Sequence, residues 1–337
     1  MQTPGILVMA GNGREPLNRL SEYAKTAEQM GLRSFLVTET PATDALAAAQ
    51  HIASITSRIY VGTGIANIYT RHPSLLAGHA IAIDALAPGR LLLGLGTSHK
   101  PVNDAYGINM NKPVTAMRDC VTALRKAFRG EPIINRPGFN PPKAEGKISI
   151  YIAGISPKSI ELTGEVADGG LPLNYSPRGL KEVVDGVSSG AKRAGRDPKE
   201  VAIALIMHCC VCPDAAVALR SVKRTLAMYG SAPFYNRLFV RQGFGKEAET
   251  IMAAATKGDM NGAAAAVSDQ MAQEVAAMGS AQDCKRKVDE FERAGASAGC
   301  ARFFKRSRKV LRPLLFFDCP RSHLVMGEGG RNCLSYR

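Results

Sequence analysis

Several residue types and patterns are scarce or absent in this chain of 337 residues. It has no tryptophan, and aromatic residues make up only 6%. Apolar runs stay short of the roughly 18 residues that a membrane-spanning helix needs, and the first residues lack the basic segment of a secretory signal. We therefore expect a cytosolic protein with no membrane partner.

The eight cysteines do not form the two C-x-x-C pairs that are typical of zinc sites, since only Cys209 and Cys212 have that spacing. Cys209, Cys210 and Cys212 follow the apolar run "VAIALIMH", where free cysteine usually packs as a small hydrophobic residue. Metal ligation is the alternative for this cluster, and we favour inert cysteines in a strand. The pattern predicts neither a metal site nor a disulfide framework.

Positive charge is unevenly distributed along the chain. The formal net charge is +14 at pH 7. Residues 300–337 carry nine lysines and arginines against two acidic residues, a balance of +7, so half of the excess lies in the last ninth of the chain. No basic and aromatic stripe precedes this segment, so we expect no specific nucleic-acid partner. The tail is either a basic solvated segment or a replacement of the original chain end.

Apolar runs alternate with helical patterns over the first two hundred residues, which favours parallel strands covered by helices. Seven strands are predicted, at 5–10, 34–39, 59–65, 90–96, 148–154, 168–174 and 201–212. Helices are predicted at 16–30, 44–56, 74–86, 114–128, 157–166, 177–194 and 281–294. The proline-rich linker 131–147 is predicted to be non-helical.

Closure of this sheet cannot be decided from the pattern alone, because an open doubly wound sheet alternates in the same way. The doubly wound alternative lacks its phosphate-binding turn, since "GNG" at 11–13 is followed by Arg14, Glu15 and Pro16. We predict an α/β fold, a (β/α)8 barrel over 1–299, with a helical insertion at 213–280 that has no strand, and an atypical end at 300–337.

The segment 59–99, "IYVGTGIANIYTRHPSLLAGHAIAIDALAPGRLLLGLGTSH", is the most specific in the chain. It resembles the luciferase-like flavin and deazaflavin oxidoreductases, especially the methylenetetrahydromethanopterin-reductase type. "RSFLVTE" at 33–39 and "YIAG" with "SPKSIELTGEVADGG" within 151–170 extend the resemblance from about residue 5 to residue 294. The resemblance implies an eighth strand after 291–296, where no run of the expected character follows.

The resemblance implies that the carboxyl ends of the barrel strands hold a flavin or deazaflavin ring. Glu39, Asn67, Gly96 and Thr97 fall at predicted strand ends, where they could reach such a ligand. It also implies a cis peptide bond between Gly64 and Ile65, which would press the backbone against the ring.

Recognition of the cofactor's phosphate or side chain is expected in two further places. Gly154, Ser156 and Lys158 precede or open a predicted helix, whose amino terminus favours anions. Ala167, Asp168 and Gly169 open the next strand, and their family counterparts line the cofactor; a plain connection is the alternative.

Two residues are candidates for catalysis. Glu39 closes the second strand and could move a proton or hold a nearby amide. His99 follows the fourth strand and could donate a proton or contact substrate. Related enzymes often place a histidine beside the acid, where this chain has Thr40. His72 precedes Pro73 and is predicted to cap the third helix.

The function that the resemblance implies is hydride transfer between a deazaflavin, coenzyme F420, and a small organic substrate. An FMN-dependent monooxygenase is the first alternative, and a non-catalytic flavin-binding protein is the second. Substrate identity is not readable from these motifs. A homodimer is expected.

Overall fold

The computed structural model describes residues 5–9, 17–41, 43–136, 138 and 140–296. The turn at 11–13 and the basic tail at 300–337, about which the sequence made predictions, lie outside these residues. The described residues fall into two compact units. The first contains residues up to 207 together with 285–296, and the second contains residues 208–284.

The first unit holds a sheet in which the described strands are all parallel and follow one another in chain order. They curl into a half-barrel. The strands are β1 (Gly5–Met9), β2 (Ser34–Thr38), β3 (Tyr60–Asn67), β4 (Leu91–Gly96), β5 (Ser149–Ile152), β6 (Gly169–Gly170) and β7 (Ala202–Ile203).

Helices connect these strands, as the alternating pattern predicted. They are α1 (Leu17–Gln29), α2 (Ala45–Ile55), α3 (Pro73–Leu86), α4 (Lys100–Ala105), α5 (Pro113–Phe128), α6 (Pro157–Val166) and α7 (Pro177–Arg193). The linker at 131–147 has no helix among its described residues, as predicted. Central strands are buried on both faces, and Phe35, Leu36 and Val37 are at most 1% exposed. Burial of this kind explains why parallel strands are continuous apolar runs in the sequence.

Capping side chains fix where several helices begin. Asp44 Oδ1 accepts hydrogen bonds from Leu46 N at 2.9 Å and Ala47 N at 3.1 Å, which starts α2. His72 accepts from Ser74 N and precedes Pro73, so the predicted capping role of His72 in α3 is confirmed. Proline at the first helical position costs no hydrogen bond, because the N–H that it lacks would have had no partner within the helix. Helices thus start directly beyond the carboxyl ends of the strands.

The second unit consists mainly of helices around a core of its own. They are α8 (Ala215–Gly230), α9 (Pro233–Arg241), α10 (Gly245–Thr256), α11 (Met260–Ala266) and α12 (Asp269–Val275). Their shared core includes Leu226, Phe239, Ile251 and Met271, each fully buried. Two short parallel strands, β8 (Cys209–Val211) and β9 (Ala277–Gly279), pair within this unit, and α13 (Ala281–Arg293) follows.

Three strand predictions need correction. Residues 213–280 do contain a strand, β9, whereas the eighth strand expected after 291–296 falls outside the described residues. The predicted strand at 201–212 is two strands, β7 and β8, in separate sheets. The predicted strand at 168–174 shortens to Gly169–Gly170. Strands of two or three residues span too few side chains to show any period, which is why the pattern missed β9.

Candidate functional site

Polar side chains gather where β2, β3 and β4 end. These strands are neighbours in a parallel sheet, so their carboxyl ends lie at the same edge. Glu39 follows β2, Asn67 ends β3, and Gly96 and Thr97 end or follow β4. The structure therefore places these four predicted site residues at one edge.

A β-bulge shapes the end of β3. Thr63 pairs with Leu93 and Ala66 pairs with Leu95, so Gly64 and Ile65 lie opposite the single residue Gly94. A Cβ placed on Gly64 would lie 2.2 Å from Leu7 Cδ1, which only glycine avoids.

The prediction of a cis peptide bond between Gly64 and Ile65 is wrong. The described residues contain no cis peptide. The bulge instead accommodates the extra residue with trans bonds. A Cβ built on Gly96 would approach Ile65 Cγ2 to 3.0 Å, so Ile65 and Gly96 lie against each other.

Glu39 accepts hydrogen bonds at both carboxylate oxygens. Its Oε2 lies 2.7 Å from Asn67 N, and its Oε1 lies 2.6 Å from Arg71 Nη1. Only 14% of its side chain is exposed. The backbone N–H of Glu39 donates to Ile65 O at 3.2 Å, which ties the end of β2 to the bulge. This carboxylate is thus held in one position by the neighbouring strand.

Arg71 joins Glu39 to Asp44. Its Nη2 lies 2.8 Å from Asp44 Oδ2, so one guanidinium pairs with two carboxylates. Burial would raise the pKa of Asp44, but hydrogen bonds from Ala47 N and Arg71, with the charge of Arg71, hold it below its ordinary 3.8. Burial opposes the charge on Arg71, yet the same two carboxylates raise its pKa. Asp44 and Arg71 therefore stay ionised at neutral pH.

Asn67 links the ends of β3 and β4 through a second asparagine. Its Nδ2 donates to Asn103 Oδ1 at 2.9 Å, and Asn103 Nδ2 donates to Thr97 O at 2.9 Å. Asn67 and Asn103 are 4% and 0% exposed. A buried network in which each amide has partners fixes the geometry of the site.

His99 precedes α4 and lies on the same edge as Thr97. Its carbonyl accepts hydrogen bonds from Val102 N and Asn103 N, both at 3.1 Å. Burial lowers the pKa of His99 below 6.5. At neutral pH the ring is therefore neutral and carries one N–H and one acceptor nitrogen. Ser98, just before it, has a φ of 54°, a strained conformation for a residue with a side chain.

A cavity of about 630 Å³ opens at this edge. Its wall is built from the loops after β2, β3 and β4. The lining residues are Glu39, Thr40, Pro41, Thr43, Asp44, Tyr69, Thr70, Tyr106 and Ile108. Two backbone hydrogen bonds, of 3.2 and 3.0 Å, close the loop between Thr40 and Thr43 and so keep this part of the wall in place.

Gly154, Ser156 and Lys158 form a second group, beyond the end of β5. Ser156 caps α6, and its Oγ accepts from Ser159 N at 3.2 Å. A Cβ on Gly154 would lie 2.5 Å from Ser159 Cβ, so glycine lets the loop pass close to the helix. Ser156 and Lys158 are exposed. A hydroxyl, an ammonium and a helix amino terminus together suit an anion.

Ala167, Asp168 and Gly169 are not brought together with the other predicted residues. They lie at the amino end of β6, the opposite end of the strand from the cavity. Asp168 Oδ2 accepts from Arg125 Nη2 and from Ile150 N, both at 2.7 Å. Asp168 therefore connects α5 and β5 to the start of β6.

The sequence analysis missed Arg71, Asp44, Asn103 and Tyr69. Arg71 stands in "YTRHP", directly after a predicted strand end, and an arginine there was a usable signal. Asn103 had no signal, because a buried asparagine in a short helix looks like a surface residue in the sequence. The described residues contain no group of three or more His, Cys, Asp or Glu side chains able to hold a metal. Within the same ranges, no helix is long and apolar enough to cross a membrane.

A parallel α/β half-barrel with polar side chains beyond the carboxyl ends of its strands defines the class of barrel enzymes. The family model described as luciferase-like monooxygenase matches residues 3–298. The chain belongs to this luciferase-like family.

Relatives within and around this family are similar over most of the chain. A 5,10-methylenetetrahydromethanopterin reductase of Methanolobus tindarius is 31% identical over 285 residues, covering 82% of this chain and 87% of the relative. The fold is similar to that of the coenzyme F420-dependent tetrahydromethanopterin reductase of Methanopyrus kandleri, with a TM-score of 0.75 and 24% identity over 89% of this chain and 92% of that one.

A second solved structure is similar in fold at lower identity. It is a type II Baeyer–Villiger monooxygenase from Pseudomonas putida in complex with FMN. The TM-score is 0.62 at 18% identity, over 89% of this chain and 90% of that one. Enzymes with different cofactors therefore share this fold.

Proposed function

We propose that the protein is an oxidoreductase that transfers hydride between coenzyme F420 and a small organic substrate. The observation that carries this proposal is the 31% identity, over 82% of the chain, to a 5,10-methylenetetrahydromethanopterin reductase. The fold similarity to a reductase named as F420-dependent supports the choice of cofactor. A bound deazaflavin would supply the hydride chemistry, and the chain would bind and orient it.

The donor set of the described residues fits such a cofactor. Gly64 and Ile65 form the bulge of β3 and Gly96 ends β4 against Ile65, and we propose that a flat ring lies against this surface. Asn67 and Thr97 flank this surface. Ser156 and Lys158, with Gly154 beside them, offer a hydroxyl and an ammonium to the acidic part of the cofactor. Ala167, Asp168 and Gly169 lie at the other end of β6, and we assign them a structural role instead.

Glu39 and His99 are the proposed catalytic residues. Glu39 is held as an acceptor by Asn67 N and Arg71, so it would orient a donor group of the substrate or take up its proton. His99 is neutral at pH 7, because burial lowers its pKa. A neutral imidazole can accept a proton at one nitrogen while donating from the other.

An FMN-dependent monooxygenase is the second candidate function. The family description and the FMN-bound structure of a monooxygenase with this fold favour it. The two candidates differ in one ligand. A deazaflavin does not readily form the oxygen adduct that a monooxygenase needs, so cofactor identity decides the reaction.

The experiment titrates the purified full chain with coenzyme F420 and, separately, with FMN, following the fluorescence of each cofactor. Absence of tryptophan keeps the protein's own emission low. Saturable binding of F420 alone supports hydride transfer. Binding of FMN alone supports the monooxygenase. Binding of either with no turnover of any alcohol, aldehyde or imine tested would favour a non-catalytic flavin-binding protein. Binding of neither by a folded chain overturns all three.

Two further properties are proposed with this function. We infer a homodimer, supported by Leu75 and Leu86, which are 69% and 50% exposed on one face of α3 and could be covered by a second copy. Light scattering after gel filtration would give the mass. We also infer a cytosolic location, where reduced cofactor and free thiols persist, and cell fractionation would test it.

A further inference from the structure

The wall of the cavity beyond β2, β3 and β4 carries more negative than positive charge. Glu39 and Asp44 line it, with 14% and 46% of their side chains exposed. The lining residues that the structure describes include no lysine, arginine or histidine. Arg71 lies behind the two carboxylates and pairs with both, so two negative charges face one positive charge.

Two hydroxyl groups in the same wall, those of Thr70 and Tyr69, have already used their protons. Thr70 Oγ1 donates to Asn67 O at 2.9 Å, and Tyr69 Oη donates to Asn111 O at 3.2 Å. A hydroxyl has a single proton but two lone pairs. These oxygens therefore offer the cavity acceptors and no donor.

Both carboxylates also remain acceptors. Their bonds to Asn67 N, to Arg71 and to the first amides of α2 use some of their lone pairs. An ionised carboxylate has about four lone-pair sites in total, so each retains acceptor capacity. Pro41, Tyr106 and Ile108 supply the apolar part of the wall. The cavity thus combines apolar surface with acceptors and a net negative charge.

A bound anion would meet these carboxylates without a cationic side chain among the described lining residues to compensate. Like charges brought together in an interface disfavour binding. The exposed Lys158 at the start of α6 provides the opposite environment, beyond the end of β5. The two ends of the site therefore differ in the charge that each accepts.

We propose that this cavity binds the substrate through a hydrogen-bond-donating group, an alcohol or amine next to an apolar body, and that it rejects carboxylate and phosphate groups. This inference rests on the proposed function, since it names the substrate class of that site. Asp44 and Glu39 are the specificity-determining residues.

The test compares three probes with one ring and different charges, namely benzylamine, benzyl alcohol and benzoate. Their dissociation constants for the full chain are measured by ligand-observed NMR, in the presence and absence of coenzyme F420. We expect benzylamine and benzyl alcohol to bind at least about tenfold more tightly than benzoate, which corresponds to about 1.4 kcal/mol. Equal or tighter binding of benzoate, or binding of none of the probes, overturns the proposal.

Variants locate the effect in the cavity. Asp44→Asn keeps a side chain that caps helices well, while it removes the charge. Glu39→Gln keeps an acceptor for Asn67 N. We expect each to reduce the preference for benzylamine over benzoate by about threefold or more. Asp185→Asn, which removes an exposed carboxylate from an ion pair with Lys181 on α7, is the matched control and should leave the preference unchanged.

Failure of this inference and failure of the proposed function give different results. If F420 binds but the probes show no charge preference, the substrate class is wrong and the hydride-transfer function stands. If the probes bind with the expected preference but F420 does not bind, the cavity assignment stands and the cofactor assignment is wrong. An unchanged preference in both Asp44→Asn and Glu39→Gln overturns the role given to these carboxylates.

Discussion

Arg71 Nη1 lies 2.6 Å from Glu39 Oε1, which joins the loop after β3 to the end of β2. The same guanidinium reaches Asp44 at 2.8 Å. A planar fork of donors can hold two carboxylates at once, whereas a lysine ammonium is a single point charge. This one side chain therefore fixes the wall of the cavity on two sides.

Replacing Arg71 should destabilise the protein more than replacing an exposed cation. In Arg71→Met the largely buried Glu39 and the half-exposed Asp44 both lose their charged donor, and we expect the free energy of unfolding to fall by about 1–3 kcal/mol. Arg71→Lys should lose less, because it keeps one ion pair. Urea denaturation at pH 7 measures the difference.

Lys100→Met is the matched control for this prediction. Lys100 pairs with Asp104 at 2.7 Å, but the two side chains are 74% and 51% exposed. An exposed pair of this kind contributes about 1 kcal/mol or less. If Arg71→Met and Lys100→Met lower the free energy of unfolding equally, the ion pairs of Arg71 contribute no more to stability than an exposed pair does.

Two glycine substitutions should have opposite effects on stability. A Cβ on Gly62 would lie 1.8 Å from Leu92 O in the neighbouring strand, so Gly62→Ala should push β3 and β4 apart and cost about 3 kcal/mol or more. Gly78 is exposed within α3, with no atom within 4 Å of an added Cβ. Gly78→Ala should stabilise by about 0.5–1 kcal/mol, because alanine favours the helix. Thermal unfolding of both variants would reveal the sign, and a stabilising Gly62→Ala would contradict the strand packing.

His208 should make the second unit sensitive to acid. Burial lowers its pKa from 6.5 to about 4, and its Nε2 has no hydrogen-bond partner among the described residues. The unfolded chain takes up a proton near pH 6.5, and the folded chain does so only near pH 4. The contribution of neutral His208 to the free energy of unfolding is therefore complete above pH 6.5. It is lost as the pH falls towards 4, by about 3 kcal/mol in total.

His208→Phe tests this pH dependence. Phenylalanine keeps an aromatic ring next to Tyr229, whose centroid lies 5.2 Å from that of His208. We expect the loss of stability between pH 7 and pH 4.5 to be about 2–3 kcal/mol smaller in the variant than in the unaltered protein. Equal losses in the two proteins would mean that His208 titrates normally in the folded state.

The sequence predicted α1, α2, α3, α5, α6 and α7 to within a residue or two, because each is long enough to show a period, and α3, α6 and α7 have a capping residue followed by proline. Ser156 with Pro157 and Ser176 with Pro177 are examples. It missed α4, which has only six residues. β9 could not be predicted, because three residues show no period and its pairing with β8 joins segments more than sixty residues apart. Long-range pairing of this kind is not encoded locally.

The candidate site was predicted in part for a similar reason. Glu39, Asn67 and Thr97 could be placed because strand ends of a parallel sheet share one edge. Asp168 opens β6 and so lies at the opposite edge of the sheet from a strand end, which is why the same rule does not bring it to the cavity. The network through Asn103 depends on a helix that only the folded chain brings to Asn67.

Opposite ends of the sheet should respond differently when the cofactor is titrated. Asp168 pairs with Arg125 at the amino end of β6, so Asp168→Asn should lower the free energy of unfolding by about 1–3 kcal/mol and leave the affinity for F420 unchanged. Lys158 is exposed at the start of α6, so Lys158→Gln should leave stability within about 0.5 kcal/mol. Its affinity for the acidic cofactor should fall about fivefold, and less at high salt. Fluorescence titration gives the affinity of each variant for F420, and urea denaturation gives the free energy of unfolding of each. Weaker F420 binding in Asp168→Asn at unchanged stability would instead place the cofactor's anionic part at the amino end of the strands.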